Sequence, residues 1–297
     1  MESHIGEIIA LFTAICWTVT STSFELAGKK IGSLSVNFIR LIMAFFLLGV
    51  FTLITRGMFV PLDATVDNWT WLMVSGLIGF VVGDLFLFQA FVEVGARISM
   101  LIMSASPPIT ALLGFIIMGE VLTIKDLIGM TVTIIGIALV ILMRSPGKKK
   151  MQLSHPIKGV SFAFLGAFGQ SLGLILSKFG MGDYNAFAAT QIRIIAGIIG
   201  FIIVFTIMKR WKGLKVAITN KDAMKKVSIG AFFGPFLGVS LSLLAIQYTT
   251  AGVVSTITAI VPVLIIPSSI LIFKEKVTSK EIIGAFITVA GVSLLFI

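Results

Sequence analysis

Ten long apolar runs divide the chain, and no other feature limits its fold as tightly. They lie near residues 5–26, 34–55, 69–90, 97–118, 124–143, 157–178, 186–208, 227–247, 251–273 and 280–297. An α-helix needs about 20 mostly apolar residues to cross the hydrocarbon core of a bilayer. The longest gaps, at 56–68, 144–156 and 209–226, read as polar or basic loops too short to fold alone. In lipid the backbone must satisfy its own hydrogen bonds, so runs of this length read as helices. The alternating ten-residue segments of a membrane β-barrel are absent. Composition closes the soluble alternatives, because 57% hydrophobic and only 12% charged residues leave too little polar surface for water. Disordered and fibrous classes go too, with only 8 prolines and no short low-complexity repeat. The expected fold is an all-α membrane protein of ten transmembrane helices.

The net charge of +10 invites a nucleic-acid reading, but the positions of the charges oppose it. Of 23 basic residues, 17 fall after helices 1, 3, 5, 7 and 9, against two (Arg56 and Lys125) on the other face. The remaining four, Arg40, Lys158, Lys178 and Arg193, fall within runs. Charge placed so unevenly beside hydrophobic spans reads as membrane anchoring and orientation, so the basic loops are expected in the cytoplasm of a multi-pass cell-membrane protein. Both termini then lie outside. The start Met1, Glu2, Ser3, His4 lacks a basic leader pattern, so the first run reads as a retained helix. Cys16 is a lone cysteine inside a run, and a small packing role is expected of it. His4 and His155 both lie outside the runs, and there is no phosphate-binding Gly-x-x-x-x-Gly-Lys loop or hydrolase motif. No cofactor, metal or nucleic acid is expected. The expected partners are a small-molecule substrate and the lipid bilayer, with the chain a monomer or a homodimer.

The chain repeats itself. A shift of 155 residues superposes Gly79 on Gly234, Gly83 on Gly238, Pro107 on Pro262, Glu120 on Glu275, Gly129 on Gly284 and Gly136 on Gly291. Earlier in each half a shift of 153 pairs Gly6 with Gly159 and Arg40 with Arg193. This predicts two units, 1–145 and 146–297, each of five helices. An odd number of spans makes the second unit enter from the opposite side, so the two are expected to be inverted repeats. That arrangement belongs chiefly to secondary transporters.

Pro107, Glu120, Gly129 and Gly136 recur with the same spacing as Pro262, Glu275, Gly284 and Gly291. Here the chain resembles the paired EamA domains of the drug/metabolite transporter superfamily, over essentially its whole length. The resemblance implies ten helices in two inverted repeats, with a central cavity lined by helices 1, 3, 4, 6, 8 and 9 and used to move small metabolites. It also implies cytoplasmic termini, opposite to the charge count.

Charge inside a span is costly and usually faces a cavity or a partner. Asp84 has no acidic counterpart at Val239, so it reads either as a substrate- or proton-binding carboxylate or as the partner of Arg40. The duplicated Arg40 and Arg193 read as fold elements or gates, Arg40 meeting Glu275 or Asp84 and Arg193 meeting Glu120. Snorkelling of either arginine to the interface is equally open, as is a plain turn-stabilising role for Glu120 and Glu275. Trp17, Thr20 and Ser21, with Thr13, form a polar stripe on helix 1; Gln170 and Ser171 occupy the matching stretch of helix 6. They read as substrate contacts or as interhelical hydrogen bonds. Ser104, Ser106, Gln247, Tyr248, Ser255 and Thr258 are secondary candidates. Pro107 and Pro262 read as helix hinges or static kinks. The pairs Gly79/Gly83, Gly169/Gly173 and Gly234/Gly238 mark close packing, and Phe86, Phe88 and Phe91 read as lipid-facing or core. Together these features predict a secondary transporter of small metabolites, such as amino acids or related amphipathic solutes, working by alternating access with export as the expected direction. A membrane enzyme acting on lipid needs a catalytic cluster at one interface, and a channel needs rings of charge or a filter; neither pattern is found.

Overall fold

A computed structural model describes residues 4–118, 123–144, 151–153, 156–248, 254 and 257–296. The first apolar run forms α1 (Ile5–Ile31), and the second forms α2 (Ser33–Arg56), which ends on Gly57 in the left-handed conformation. Thr65 then starts α3 (Val66–Gly76) with a capping box, its hydroxyl accepting from the Asn68 amide while the Asn68 side chain accepts from Thr65. A π-helical segment, Leu77–Gly83, leads into α4 (Asp84–Met103), followed by α5 (Ser106–Met118) and α6 (Ile124–Ile141). The second half runs α7 (Ile157–Met181), α8 (Ala186–Ile207), α9 (Trp211–Thr219) and α10 (Lys221–Ala231). A second π segment, Phe232–Gly238, leads into α11 (Val239–Tyr248), and α12 (Val261–Leu264), α13 (Ile266–Phe273) and α14 (Ser279–Phe296) follow.

Among the described residues six helical stretches are long and apolar enough to cross a membrane: Ile5–Ile31, Ser33–Arg56, Val66–Met103, Ile157–Met181, Ala186–Ile207 and Lys221–Tyr248. The chain is thus a helical, multi-pass membrane protein. Large apolar side chains such as Ile8, Ile54 and Ile207 stand exposed along these helices, as a lipid-facing surface requires.

Two gaps that read as loops carry structure of their own. Leu142–Arg144 (β1) pairs antiparallel with Met151–Leu153 (β2), and strands of three residues leave no periodic signal in a sequence. In the 209–226 gap, α9 buries Leu214 and Ala217 and turns Lys212 and Lys215 outward. Spacing of three residues is one helical face, which gives an amphipathic helix suited to a membrane surface. Lys221, Lys225 and Lys226 belong to the first turns of α10, whose start is capped by the Asn220 side chain accepting from the Ala223 amide.

Helix packing recurs between the halves. Gly83 packs on Gly169 and Gln170, and Gly238 packs on Trp17; Gly79 packs on Gly173, and Gly234 packs on Thr20. Each second contact is the first one carried across by the sequence offsets of 155 and 153. A side-chain carbon on Gly169 would stand 2.6 Å from the Cα of Gly83, so these backbones meet because Gly169 has none. Between α6 and α14, Gly136 meets Thr288 while Gly291 meets Thr133. The π segments Leu77–Gly83 and Phe232–Gly238 are displaced by the same 155 residues, as are the turns at 104–105 and 259–260.

The chain reverses inside α4 at Gly95, where φ 83° and ψ 161° are open essentially to glycine alone. The next amide, of Ala96, donates to Oε2 of buried Glu25 at 2.6 Å, which ties the reversal to α1. Gly95→Ala is expected to cost about 1–3 kcal/mol and to lower the thermal midpoint of the purified protein in detergent. Gly213→Ala is the control: that helical glycine has open space beside it, so its midpoint is expected to hold or rise.

Candidate functional site

A cavity of about 210 Å³ lies among α1, α2, α4, α5, α7, α8, α11 and α12, and Phe80 of the first π segment also lines it. Its polar side is formed by Trp17, Thr20, Ser21, Arg40, Asp84, Gln170 and Arg193. Aromatic and flexible side chains make the rest, chiefly Phe24, Phe80, Phe88, Phe91, Met100 and Met103. The lining also includes Leu243 and Ile246 of α11 and Val254.

The charged cluster is built from α2 and the start of α4. A π turn adds a residue to the helix, which rotates everything downstream by about 100°. Asp84 is the first residue past that turn, and only 4% of it is exposed. Its Oδ2 accepts from Nη2 of Arg40, and its Oδ1 accepts from Nε2 of Gln170 at 2.5 Å. Arg40 also donates from Nε to Oδ1 of Asn37 at 3.1 Å, while Asn37 donates to the Asp84 carbonyl. Three rings surround the Arg40 guanidinium, with centroids at 4.5 Å (Phe88), 5.6 Å (Phe80) and 5.7 Å (Phe24). The negative faces of these rings stabilise the cation where water is excluded.

Arg193 is placed differently. It is 4% exposed, its guanidinium lies 4.8 Å from the Phe80 ring centroid, and its Nε has no hydrogen-bond partner. Asp84 attracts it without forming an ion pair with it. The reason is visible in the repeat: Arg40 and Arg193 correspond, but the position corresponding to Asp84 is Val239.

Of the residues singled out in the sequence, Trp17, Thr20, Ser21, Asp84 and Gln170 meet at one cavity, joined by Arg40, Arg193, Pro107 and Pro262. Ser171 stands behind the wall, its hydroxyl 2.8 Å from that of Ser106, which does line the cavity. Thr13 turns its hydroxyl to the Ile9 carbonyl of its own helix. The two openings for Arg40 resolve to Asp84, and neither central arginine reaches the interface by snorkelling, since both are buried. Glu275 instead meets Arg97 at 3.0 Å, and Arg97 also pairs with Glu281 at 3.1 Å. Glu120, the expected partner of Arg193, and Ser255 lie outside the described residues. Ser104 and Thr258 line the cavity; Gln247 donates to the Tyr184 carbonyl and Tyr248 is exposed. Pro107 and Pro262 sit in the first turns of α5 and α12, just after the chain turns at 104–105 and 259–260. A proline there forfeits no helical hydrogen bond, so each marks a helix start and not a kink within a continuous helix.

The aromatic wall escaped the sequence reading, which placed Phe88 and Phe91 with lipid or core. The usable signal was local: Phe80, Asp84, Phe88 and Phe91 share one face at helical spacing, and Phe24 follows Thr20 by one turn. Glu25, buried at the Gly95 reversal, was also passed over. No cluster of three metal-ligating side chains occurs among the described residues.

Removing one partner from a buried ion pair strands the other charge, at about 3–5 kcal/mol. Asp84→Asn alone, or Arg40→Met alone, is therefore expected to lower the thermal midpoint markedly in detergent. The double variant is expected to recover part of that loss, because neither member of the pair is then left facing an absent partner.

Residues 4–142 and 157–297 each match the model of the EamA-like transporter family. A protein of Archaeoglobus fulgidus described as an uncharacterized transporter is 22% identical over 298 residues, covering 98% of this chain and 97% of its own. Another uncharacterized transporter, of Clostridium kluyveri, is 23% identical over 292 residues, covering 96% of this chain and 91% of its own. A protein crystal structure superposes with a TM-score of 0.62 at 15% identity, across 97% of this chain and 95% of that one, a likeness of fold alone.

Proposed function

The chain belongs to the EamA-like transporter family, and we propose that it is a secondary transporter moving small metabolites across the cell membrane by alternating access. The moving parts are two inverted five-helix repeats, 1–145 and 146–297, together ten transmembrane helices. Reciprocal packing supports the repeat: a contact between i and j matched by one between their counterparts is the pattern of a two-fold axis. The Gly83–Gln170 and Gly238–Trp17 contacts follow that pattern, as do Gly136–Thr288 and Gly291–Thr133. The expected spans outside the six longest fall on α5, α6, α12 with α13, and α14.

The observation that carries the reading is the cavity where the two halves meet, with charged and amide groups at its centre. Solute sites of inverted-repeat transporters lie at such seams, where helices are interrupted; here π segments and turns interrupt them on both sides. One end is sealed. Arg97, Glu275 and Glu281 join the Gly95 reversal to the approach to α14, and Glu25 binds Lys29 and the Ala96 amide beside them. This lock belongs to the face carrying the basic loops, which the positive-inside bias assigns to the cytoplasm. The cavity lining includes Ile246 and Val254, which supports reading this state as outward-facing and suited to release of an exported solute.

The test is a comparison of intracellular and extracellular metabolites, by mass spectrometry, in cells with and without the protein. Export predicts that an intact solute accumulates outside in proportion to expression. A new chemical product, with no redistribution of an intact solute, contradicts transport and assigns an enzyme.

A further inference from the structure

The cavity holds two guanidinium groups and one carboxylate among its lining side chains. The carboxylate is held by the protein itself, with one oxygen on Arg40 and the other on Gln170. Arg193 therefore remains as a buried cation with an unpartnered Nε at the cavity wall. Stranding a cation in a low-dielectric site is costly unless an anion joins it. At the start of α5, Pro107 and Pro108 have no N–H to offer an anion.

We infer that the cavity binds small organic monocarboxylates, with Arg193 holding the carboxylate and the apolar body lying against the aromatic and methionine wall. This rests on the transporter reading and adds the substrate's charge and shape to it. The guanidinium presents a planar fork matched to a carboxylate. The Phe80 ring lies against it, its centroid 4.8 Å away, and the Thr20 hydroxyl lines the same cavity. An apolar cavity of about 150 Å³ admits benzene, so one of about 210 Å³ takes a one-ring or branched body together with its headgroup. Met100 and Met103 adapt to different bodies. A zwitterionic amino acid fits less well, because the charge of Asp84 is already matched by Arg40 and its ammonium group would stand beside two guanidinium groups. Broken symmetry is the origin of the site: Arg40 received its carboxylate from the chain at Asp84, whereas Arg193 faces Val239 at that place and takes its carboxylate from the solute.

The probes are 3-phenylpropionate and 4-methylpentanoate, their neutral amides, and L-phenylalanine, titrated into the purified protein in detergent with binding read from the shift in thermal midpoint. At least one acid is expected to bind about tenfold or more tighter than its amide and than phenylalanine. Arg193→Gln is expected to weaken that acid by about tenfold to a hundredfold while leaving the amide unchanged; Arg193→Lys is expected to restore part of the loss. Arg193→Gln removes a buried unpaired charge, so its own midpoint without ligand is expected to hold or rise, which separates lost binding from lost folding. The inference is overturned if no acid binds, if amide or phenylalanine binds as tightly, or if Arg193→Gln binds the acid like the parent. It also falls if sodium chloride alone reproduces the shift and the acids add nothing, since the charge then belongs to an inorganic ion. Proteoliposomes loaded with the same probes separate this from the transporter reading. Movement of amides but not acids keeps a transporter and removes the anion site. Binding of an acid with movement of no probe keeps the site and removes transport.

Discussion

The structure depends on how it accommodates charge where water is absent. A buried guanidinium is stabilised by a counter-charge, by hydrogen bonds to its donors and by polarisable surfaces around it. Arg40 has all three, from Asp84, Asn37 and the rings of Phe24, Phe80 and Phe88. Meeting that demand fixes α2 against the start of α4 and, through Gln170, fixes α7 as well. The π turn before Asp84 and the glycine contacts of α7 with Gly79 and Gly83 bring these backbones close enough for it. The cavity is what remains between helices held in this way.

The two halves share a packing scheme and differ in their chemistry. Glycine contacts, π segments and chain turns recur at constant offsets, because both halves must solve the same problem of bringing helices together without a hydrophobic driving force. The two central arginines recur, but the groups around them do not. Asp84 stands opposite Val239, Gln170 opposite Trp17, and the Arg97 lock is made at one end. In the proposed mechanism the shared scheme supplies two interchangeable conformations and the unshared residues supply recognition and direction.

Much of this was legible in the sequence. Six spans, the glycine pairs and the convergence of Trp17, Thr20, Ser21, Asp84 and Gln170 follow from hydropathy, spacing and the repeat. The Arg40–Asp84 pair stood as one of two readings, because depth along a helix can be counted from sequence but azimuth past a π turn cannot. The aromatic wall was hidden for a related reason: lipid and cavity are both apolar to a hydropathy scale, so Phe88 on the cavity side looks like Ile54 on the lipid side. Glu25 and Arg97 were obscured by the reversal at Gly95, whose backbone conformation no periodicity reports. Short elements such as β1, β2 and α9 lie below the length at which a pattern becomes distinct from chance.

Alternating access is tested most directly by side-specific labelling of a cavity residue. Cysteine is placed at Met103 in a Cys16→Ala background, and a membrane-impermeant thiol reagent is applied to each side of sealed, oriented vesicles. The account predicts labelling from the face opposite the basic loops. It also predicts that adding Arg97→Gln, which breaks the lock with Glu275 and Glu281, shifts labelling toward the basic-loop face at the expense of the first. Equal labelling from both faces, unchanged by Arg97→Gln, describes an open pore and contradicts the account.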